Sequence, residues 1–383
     1  MLEMTSRVRG ESATPSPDEL IARAESLVPL LRENGPKTEQ LHCLTEVCVQ
    51  ALEEAGLFRM FQPVARGGYE TDAVTIARVM TAIASGCAST AWVMSIYSSV
   101  GQLAELLSEQ ALAEIYAEPH ARIAGVFGRA GATVERAEGG FRVRGDGFWP
   151  FNSGCRHAGW DLLKMTVEEP DGSNWPAFAA VPMSDLTLCD DWDVMGAMGT
   201  GSNSVRCGEL FIPEHRLVAV PKDLRGVLRP DVAAGTNCAL PLGMARHAME
   251  AFVELATTRG LNHLGYARMG DAPVVQAALA AAAIDVKLIE CYQQWVLSPY
   301  NGGPPITPGD VPVMGIGSVR CFELTRALVE RLLDLCPSSE IQRSKPIQRL
   351  LRDIHVFEHQ HAATPFANYE LFGRRFFAAL EET

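Results

Sequence analysis

The stretch Gly147-Phe-Trp-Pro-Phe-Asn-Ser-Gly154 and a second glycine-rich stretch, Gly196-Ala-Met-Gly-Thr-Gly-Ser-Asn203, decide the fold of this chain. Both lie in the one region whose short β-branched and aromatic runs predict strands, and helical patterns lie on either side. Glycines next to small hydroxyl and amide side chains let a backbone approach a flat ligand closely. We therefore expect a polar-edged slot where helices meet strands, suited to an aromatic cofactor such as a flavin.

Length and composition limit the kind of protein this chain can be. Its 383 residues exceed what one ordinary hydrophobic core organises, so two or three domains are expected. A hydrophobic content of 47% with 21% charged residues is typical of a soluble globular protein. The net charge of −13 and the absence of a Lys/Arg run argue against nucleic-acid binding, which needs a concentrated excess of cations.

Targeting and cysteine patterns favour a cytoplasmic protein without a metal site. The N-terminal segment is polar and lacks the apolar centre of a signal peptide. No stretch reaches the ~18 apolar residues of a membrane span, since the run 277–283 is short. The ten cysteines are scattered without a CxxC pair, which disfavours zinc and predicts buried free thiols.

Hydrophobic periodicity divides the chain into four parts. Residues 1–16 are expected to be disordered, and residues 17–119 form an N-terminal helical domain. Residues 120–228 form an antiparallel β-barrel or sandwich, and residues 229–383 form a four-helix bundle. The predicted strands are Arg122–Phe127, Thr133–Arg136, Gly140–Gly145, Trp160–Thr166, Trp175–Val181 and Val205–Ile212. The predicted bundle helices are Ala233–Gly260, Pro273–Leu297, Val311–Cys336 and Pro346 to the end.

This α+β order resembles the acyl-CoA dehydrogenase fold over nearly the whole chain from residue 17. Within that fold the local motifs resemble those of the two-component flavin-dependent monooxygenases, including the secosteroid and indole hydroxylases of actinobacteria. The stretches that carry the likeness are Ala88-Ser-Thr-Ala-Trp92-Val, Trp149-Pro-Phe-Asn-Ser-Gly154 with Trp160, Gly196 to Asn203, and Arg352-Asp353-Ile-His355 through Gly373-Arg374. Each of these four stretches is weak evidence alone, but their occurrence in the same order strengthens the resemblance.

The resemblance implies a reduced-flavin-dependent monooxygenase. Such an enzyme hydroxylates a phenolic or indole-type small molecule through a flavin hydroperoxide, with dioxygen as co-substrate, here in natural-product biosynthesis. It implies reduced FAD, with FMN as the alternative, and a homotetramer. No GxGxxG opens a helix in this chain, so no nicotinamide site is indicated and a separate flavin reductase would supply the flavin.

The first glycine-rich stretch supplies candidate residues for the flavin edge. Asn152 and Ser153 are the expected hydrogen-bond donors, Trp149 and Phe151 the expected apolar packing, and Gly154 allows the turn. Ser153 has a catalytic role in this interpretation, since it would protect the oxygenating form of the flavin. A tight turn that merely uses Asn-Ser-Gly chemistry explains the same residues equally well without the resemblance.

Other cofactor contacts are expected in the second stretch and at the start of the bundle. Thr200 and Ser202 could contact the phosphates or ribityl chain of the flavin, although a structural hairpin explains them nearly as well. The fold implies that Arg259 and Arg268 pair with the FAD pyrophosphate across a subunit interface. An arginine at a helix end is more often simply solvated.

A cluster of three histidines offers a candidate base. His355 and His359 are four residues apart and would share one helical face, with His361 turned away. No HExxH and no third ligand support a metal. The resemblance implies a base that deprotonates a phenol or an indole N–H, a role that imidazole suits near neutral pH. His361 is favoured and His355 is second; exposed histidines without a role are the alternative.

One feature departs from the family pattern. Several of these oxygenases carry a substrate-facing histidine in the helix that follows the Trp92 position, and this chain has none there. Tyr97 or Ser98 could hydrogen-bond the substrate instead.

Three other interpretations remain open from the sequence. An acyl-CoA dehydrogenase would need a carboxylate base, but Glu370 is followed by bulky residues and is expected to pair with Arg374. The motifs do not distinguish an aromatic hydroxylase from an N- or S-oxygenase with the same fold. A flavin-free scaffold is possible because a fold does not fix a function.

Overall fold

The computed structural model describes residues 14–118, 120–128, 130–224, 226–307, 309–360 and 364–381. Most of the segment expected to be disordered, and His361, lie outside these residues. No helix in the described ranges is both long enough and apolar enough to cross a membrane.

Five α-helices form the N-terminal layer. They are α1 (Pro17–Leu41), α2 (Glu46–Glu54), α3 (Ala73–Gly86), α4 (Ala88–Ala104) and α5 (Glu109–Ile115). Local side-chain chemistry sets where they begin. Ser16 and Glu19 form a capping box at α1, and the Asp72 carboxylate accepts two backbone N–H groups at α3. The first helix ends at Leu41, and the next residue, His42, adopts a left-handed conformation.

The described residues of the central domain form ten strands. They are β1 (Ile123–Val126), β2 (Ala132–Ala137), β3 (Gly140–Arg144), β4 (Gly147–Trp149), β5 (Trp160–Glu168), β6 (Asn174–Pro182), β7 (Thr187–Leu188), β8 (Val205–Cys207), β9 (Phe211–Pro213) and β10 (Leu217–Ala219). Seven belong to one sheet with the order β10-β6-β5-β2-β3-β9, in which β1 also pairs with β5; β4, β8 and β7 form a smaller sheet.

The pairing corrects the expected purely antiparallel arrangement. β1 and β2 both run parallel to β5, at successive positions along the same edge. The remaining pairs are antiparallel. Strands β1 and β2 therefore lie end to end along one edge of β5. The sheet is mixed, because these two pairs are parallel and the others are antiparallel.

The predicted strand Val205–Ile212 is in fact two strands. Val205 pairs with Trp149 in the small sheet, whereas Ile212 pairs with Phe141 in the large sheet. The chain changes sheets between them, which no alternation of side chains records. The missed strands β4, β7 and β10 have only two or three residues, too few for a period-two pattern.

Six helices follow the sheets. They are α6 (Pro230–Asn237), α7 (Ala239–Thr258), α8 (Pro273–Leu297), α9 (Asp310–Leu333), α10 (Pro346–Phe357) and α11 (Pro365–Glu381). The first and last helices of the predicted bundle are each divided in two, at Cys238 and after Phe357. Helices α7 to α10 pack on one another and α7 also packs on α3, so the bundle shares one core with the N-terminal layer.

Close packing of α3 against α7 depends on Gly243. A Cβ atom there would lie 2.4 Å from the Ala84 Cβ and 2.6 Å from the Thr81 carbonyl oxygen. Because backbone lies in the way, the two helices can approach only over a glycine.

We expect Gly243→Ala to lower the free energy of unfolding by about 2 kcal/mol, since the methyl group forces the helices apart. Urea titration followed by circular dichroism measures the effect. The matched control is Gly373→Ala in α11, where a methyl group meets no described atom within 4 Å. The control should be neutral or up to about 1 kcal/mol more stable. Equal effects of the two changes would contradict this account of the packing.

Candidate functional site

A chain of hydroxyl groups joins the two glycine-rich stretches to helix α4. The Trp92 indole N–H donates to Ser153 Oγ at 3.2 Å, and Ser153 Oγ lies 2.7 Å from Ser202 Oγ. Ser202 Oγ lies 2.7 Å from Thr200 Oγ1, which donates to the Ala197 carbonyl at 2.8 Å. The structure thus brings together Ser153, Thr200 and Ser202, which the sequence proposes separately for the cofactor.

Only one direction of donation satisfies all four contacts. An indole N–H can only donate, and a carbonyl can only accept. Thr200 therefore gives its proton to Ala197, Ser202 gives its own to Thr200, and Ser153 gives its own to Ser202. Ser153 keeps an accepting lone pair and has no proton left for a ligand.

The turn that carries Ser153 is held in an unusual backbone conformation. Phe151 has φ of +62° with 71% of its surface exposed, and Gly154 has φ of +78°. The Asn152 N–H donates to the Asn203 carbonyl at 3.2 Å, and the Gly154 N–H donates to that of Thr200 at 2.9 Å. A bulky residue in the left-handed region costs on the order of 1–3 kcal/mol and persists only where the surroundings impose it. These backbone bonds supply that restraint.

A buried carboxylate lies behind the same turn. The Asn152 amide N–H donates to Asp161 Oδ2, and both side chains have no exposed surface. Burial raises the pKa of Asp161 to about 7, although the Asn152 amide opposes this. The other oxygen of each side chain, Oδ1, has no hydrogen-bond partner among the described residues. Asn152 is therefore placed to fix the turn from behind rather than to face a ligand.

Two further candidates lie away from the hydroxyl chain. The Trp149 ring is fully buried, and its indole N–H donates to the Lys164 carbonyl at 2.8 Å. The Tyr97 hydroxyl donates to the Gly154 carbonyl at 2.6 Å, and burial raises its pKa. Tyr97 thus supports the turn from its helix side, and Trp149 belongs to the core of the β domain.

A large cavity opens beside Trp92. Its volume is about 760 Å³, and its walls come from α3, α4, α6, α7 and α9 with segments between them. Trp92, Ser95, Ile96 and Ser99 form the α4 side at helical spacing. Sequence reasoning missed this wall, although that spacing could have indicated it.

The distant members of the cavity wall carry no sequence signal. Met80, Leu240, Met314 and Phe322 come from three different helices and differ in no respect from ordinary core residues. Only the packing of the bundle against α4 brings them to one surface. Gln360, the residue before His361, also lines the cavity.

The second glycine-rich stretch is anchored to helix α10. The Ala197 N–H donates to Asp353 Oδ1 at 2.6 Å, and Ala197 itself has φ of +52°. A Cβ at Gly196 would lie 2.1 Å from the Arg352 carbonyl oxygen. Burial raises the pKa of Asp353 to about 6. The Arg352-Asp353 pair, quoted above as part of a family signature, therefore has a positioning role that sequence reasoning did not assign.

The histidine cluster differs from the predicted arrangement. Helix α10 ends at Phe357, so His359 lies beyond it and the expected shared helical face is wrong. His359 Nδ1 is 2.7 Å from the His355 carbonyl, and His355 Nε2 is 3.6 Å from Glu330. His361 lies outside the described residues. No group of His, Cys, Asp and Glu in the described ranges could hold a metal ion.

The remaining candidates lie in the second half of the chain. Arg259 and Arg268 are in the segment between α7 and α8, where Arg268 pairs with Asp271 at 2.8 Å, and neither lines the large cavity. Glu370 pairs with Arg374 on the exposed surface of α11, as predicted. Glu370 is therefore part of a surface ion pair.

Family comparison identifies the class of protein. The family model for the acyl-CoA dehydrogenase N-terminal domain matches residues 24–122, and the one for the C-terminal domain matches residues 236–365. Together the two matches cover more than half of the chain, which belongs to the acyl-CoA dehydrogenase family.

Individual relatives narrow this assignment to oxygenases. The flavin-dependent monooxygenase oxygenase subunit HsaA of Rhodococcus jostii is 28% identical, over 92% of this chain and 96% of that protein. The FADH(2)-dependent resorcinol hydroxylase oxygenase component of a Rhizobium species is 27% identical, over 88% of each chain. The structure of XiaF from a Streptomyces species, in complex with FADH2 and glycerol, has a TM-score of 0.82, 25% identity and coverage of 94% and 96%. The predicted fold and the predicted kinship with flavin-dependent monooxygenases are confirmed.

The buried carboxylate behind the turn generates a pH prediction. The folded protein keeps a proton on Asp161 up to about pH 7, whereas the unfolded chain loses it near the ordinary value of 3.8. Between these values the folded state binds more protons, so this group lowers the free energy of unfolding as the pH rises.

We expect Asp161→Asn to become progressively more stable than the parent protein between about pH 4 and pH 8, by about 4 kcal/mol in all. Urea titrations at several pH values measure the difference between the two proteins. Asp353 and other titrating groups are common to both and cancel in that difference. A difference that does not change with pH would mean that Asp161 is ionised throughout.

Proposed function

We propose that this chain is the oxygenase component of a two-component monooxygenase that hydroxylates a phenolic or indole-type small molecule, using reduced FAD or FMN and dioxygen. The observation that carries the proposal is the hydroxyl chain from Trp92 to Ala197, whose first member, Trp92, also lines the 760 Å³ cavity. The names of the curated relatives support it, because they include aromatic hydroxylases that use reduced flavin.

The residues present fit a reduced flavin. When bound, reduced flavin reacts with dioxygen and supplies one oxygen atom to an electron-rich ring. Ser153 offers a lone pair and no proton, which suits an N–H group on the edge of a reduced flavin ring better than an unprotonated ring nitrogen. The exposed Phe151 ring and the glycines of both stretches suit contact with a flat ring.

The cavity has the properties that a hydroxylase needs for its substrate. The apolar wall excludes water, which would otherwise compete with the aromatic substrate. Its polar positions on α4 are Ser95, Ser99 and Gln102, whereas Ser98 lies in the wall of a different cavity. Gln102 lines both cavities, and Ser95 and Ser99 line only the large one. Ser95 and Ser99 therefore replace Tyr97 and Ser98 as the side chains we propose for hydrogen bonding to the substrate.

The proposed base comes from the segment after α10. Gln360, which follows α10, lines the cavity, and His361 is the next residue in the sequence. We retain His361 as the base and His355 as the alternative, since His355 is partly buried beside Glu330 and an imidazole can accept the proton of a phenol or an indole N–H.

Assembly is a further part of the proposal. Helix α8 exposes large apolar side chains: Val274 at 55%, Ile284 at 62% and Leu288 at 52%. Because these residues recur along one helix, they suit burial against further copies of this chain. We propose a homotetramer, which light scattering after size-exclusion chromatography tests directly; a monomer would contradict it.

We expect Ser153→Ala to release more hydrogen peroxide and less hydroxylated product for each reduced flavin consumed, because the turn loses its acceptor. The measurement is the ratio of peroxide to product, with an aromatic substrate and a supplied reductase. Ser26→Ala, an exposed serine on α1, is the matched control and should leave the ratio unchanged. An unchanged ratio in Ser153→Ala would remove Ser153 from the site.

We expect His361→Ala to reduce turnover by 10²- to 10⁴-fold, on the order typical for loss of a general base, with binding of reduced flavin nearly unchanged. The pH dependence of turnover should lose its acidic limb in the same variant. His355→Ala is the comparison. If only that variant loses the acidic limb, the base is His355, and if neither does, the reaction uses no histidine base here.

A further inference from the structure

A second cavity lies behind helix α4, on the side away from Trp92. Its volume is about 190 Å³. Helix α4 contributes Tyr97, Ser98 and Gly101 to its wall, and these positions lie on the opposite side of the helix from Trp92 and Ser99. The remaining wall includes three aromatic rings, those of Phe58, Phe61 and Tyr116. The two cavities share only Gln102 and Arg229, so α4 separates them.

The charged residues in this wall are already neutralised. Each has an oppositely charged partner: Arg122 with Glu53, Arg229 with Asp231, and Glu105 with Arg66. A charged ligand would have to displace one of these partners. The cavity therefore favours a neutral ligand.

Two neutral polar groups in the wall have no partner. Ser98 is 3% exposed and its Oγ makes no hydrogen bond among the described residues. Gln62 is 9% exposed; its amide N–H donates to the Ala121 carbonyl at 3.0 Å, but its Oε1 accepts nothing in the described structure. A buried polar group without a hydrogen bond lowers the free energy of unfolding by about 1–3 kcal/mol. A hydroxyl group on a bound ligand would supply the missing hydrogen bond and offset this cost.

We propose that this cavity is a second small-molecule site, which binds a neutral single-ring aromatic alcohol of the phenol class. An engineered cavity of about 150 Å³ in another protein accepts benzene, so 190 Å³ accommodates one ring with a hydroxyl group. The ring packs among Phe58, Phe61 and Tyr116, and the hydroxyl bonds to Ser98 or Gln62. Tyr97 lines this site and also bonds the Gly154 carbonyl, so the ligand contacts the support of the turn that carries Ser153.

Fluorine NMR with 4-fluorophenol and the purified full chain tests the site without any flavin. We expect two saturable bound signals, one for each cavity. Gly101→Leu should remove the signal of the smaller cavity, because the leucine side chain fills that cavity. The helix can accept the change, since the nearest atom to a Cβ at Gly101 is the Tyr116 hydroxyl at 3.9 Å. Gly101→Ala, which leaves most of the space, should keep both signals. Ser99→Phe should remove the other signal by filling the large cavity.

Chemical selectivity provides a second test. Ser98→Ala should weaken 4-fluorophenol binding at the Gly101 site about fivefold, the loss of one hydrogen bond of about 1 kcal/mol. Fluorobenzene has no hydroxyl group, so it should bind at the Gly101 site of the parent protein about as weakly as 4-fluorophenol binds at that site in Ser98→Ala. Two signals that persist in Gly101→Leu, or a single signal that Ser99→Phe abolishes, would overturn the proposal. Equal affinity for the two probes would refute the ligand class, and none of these outcomes depends on the oxygenase activity.

Discussion

The one-way hydrogen-bond chain from Trp92 through Ser153 and Ser202 to Thr200 is the interaction on which the candidate site depends. It ties a helix of the N-terminal layer to two turns of the β domain that are far apart in sequence. The Trp92 indole N–H at one end can only donate, and the Ala197 carbonyl at the other end can only accept. Each hydroxyl proton is therefore donated to the next group along the chain toward Ala197. The direction of the chain therefore sets what Ser153 can offer to a ligand, which is a lone pair.

Both turns are held from behind by buried carboxylates. Asp161 fixes the first turn through the Asn152 amide, and Asp353 fixes the second through the Ala197 N–H. Burial raises the pKa of each carboxyl group, so each makes the folded state less stable as the pH rises toward neutrality. Left-handed conformations at Phe151 and Ala197 add to this cost. The position of the two turns is thus maintained at the expense of stability, as is usual at functional sites.

Helix α4 has two buried faces with different surroundings. Trp92, Ser95 and Ser99 face the large cavity that we propose for the substrate. Ser98 and Gly101 face the smaller cavity behind the helix. A helix buried on both sides shows no single apolar stripe, so its periodicity alone cannot tell which polar residue serves which side. For this reason the sequence pointed to Ser98 for the substrate, whereas the structure places Ser95 and Ser99 beside the large cavity.

The sequence by itself determined the order of the helical, β and helical regions, because helical and strand periodicities and the glycine-rich stretches are local properties of the chain. It also singled out Ser153, Thr200 and Ser202, whose residue types are unusual for a core. Only the tertiary structure decided that these three hydroxyls form one chain with Trp92, that Asn152 faces Asp161, and that the strand after Val205 changes sheets. Those outcomes depend on contacts between residues that are 9 to 71 positions apart, and the periodicity of a single sequence does not record which residues meet.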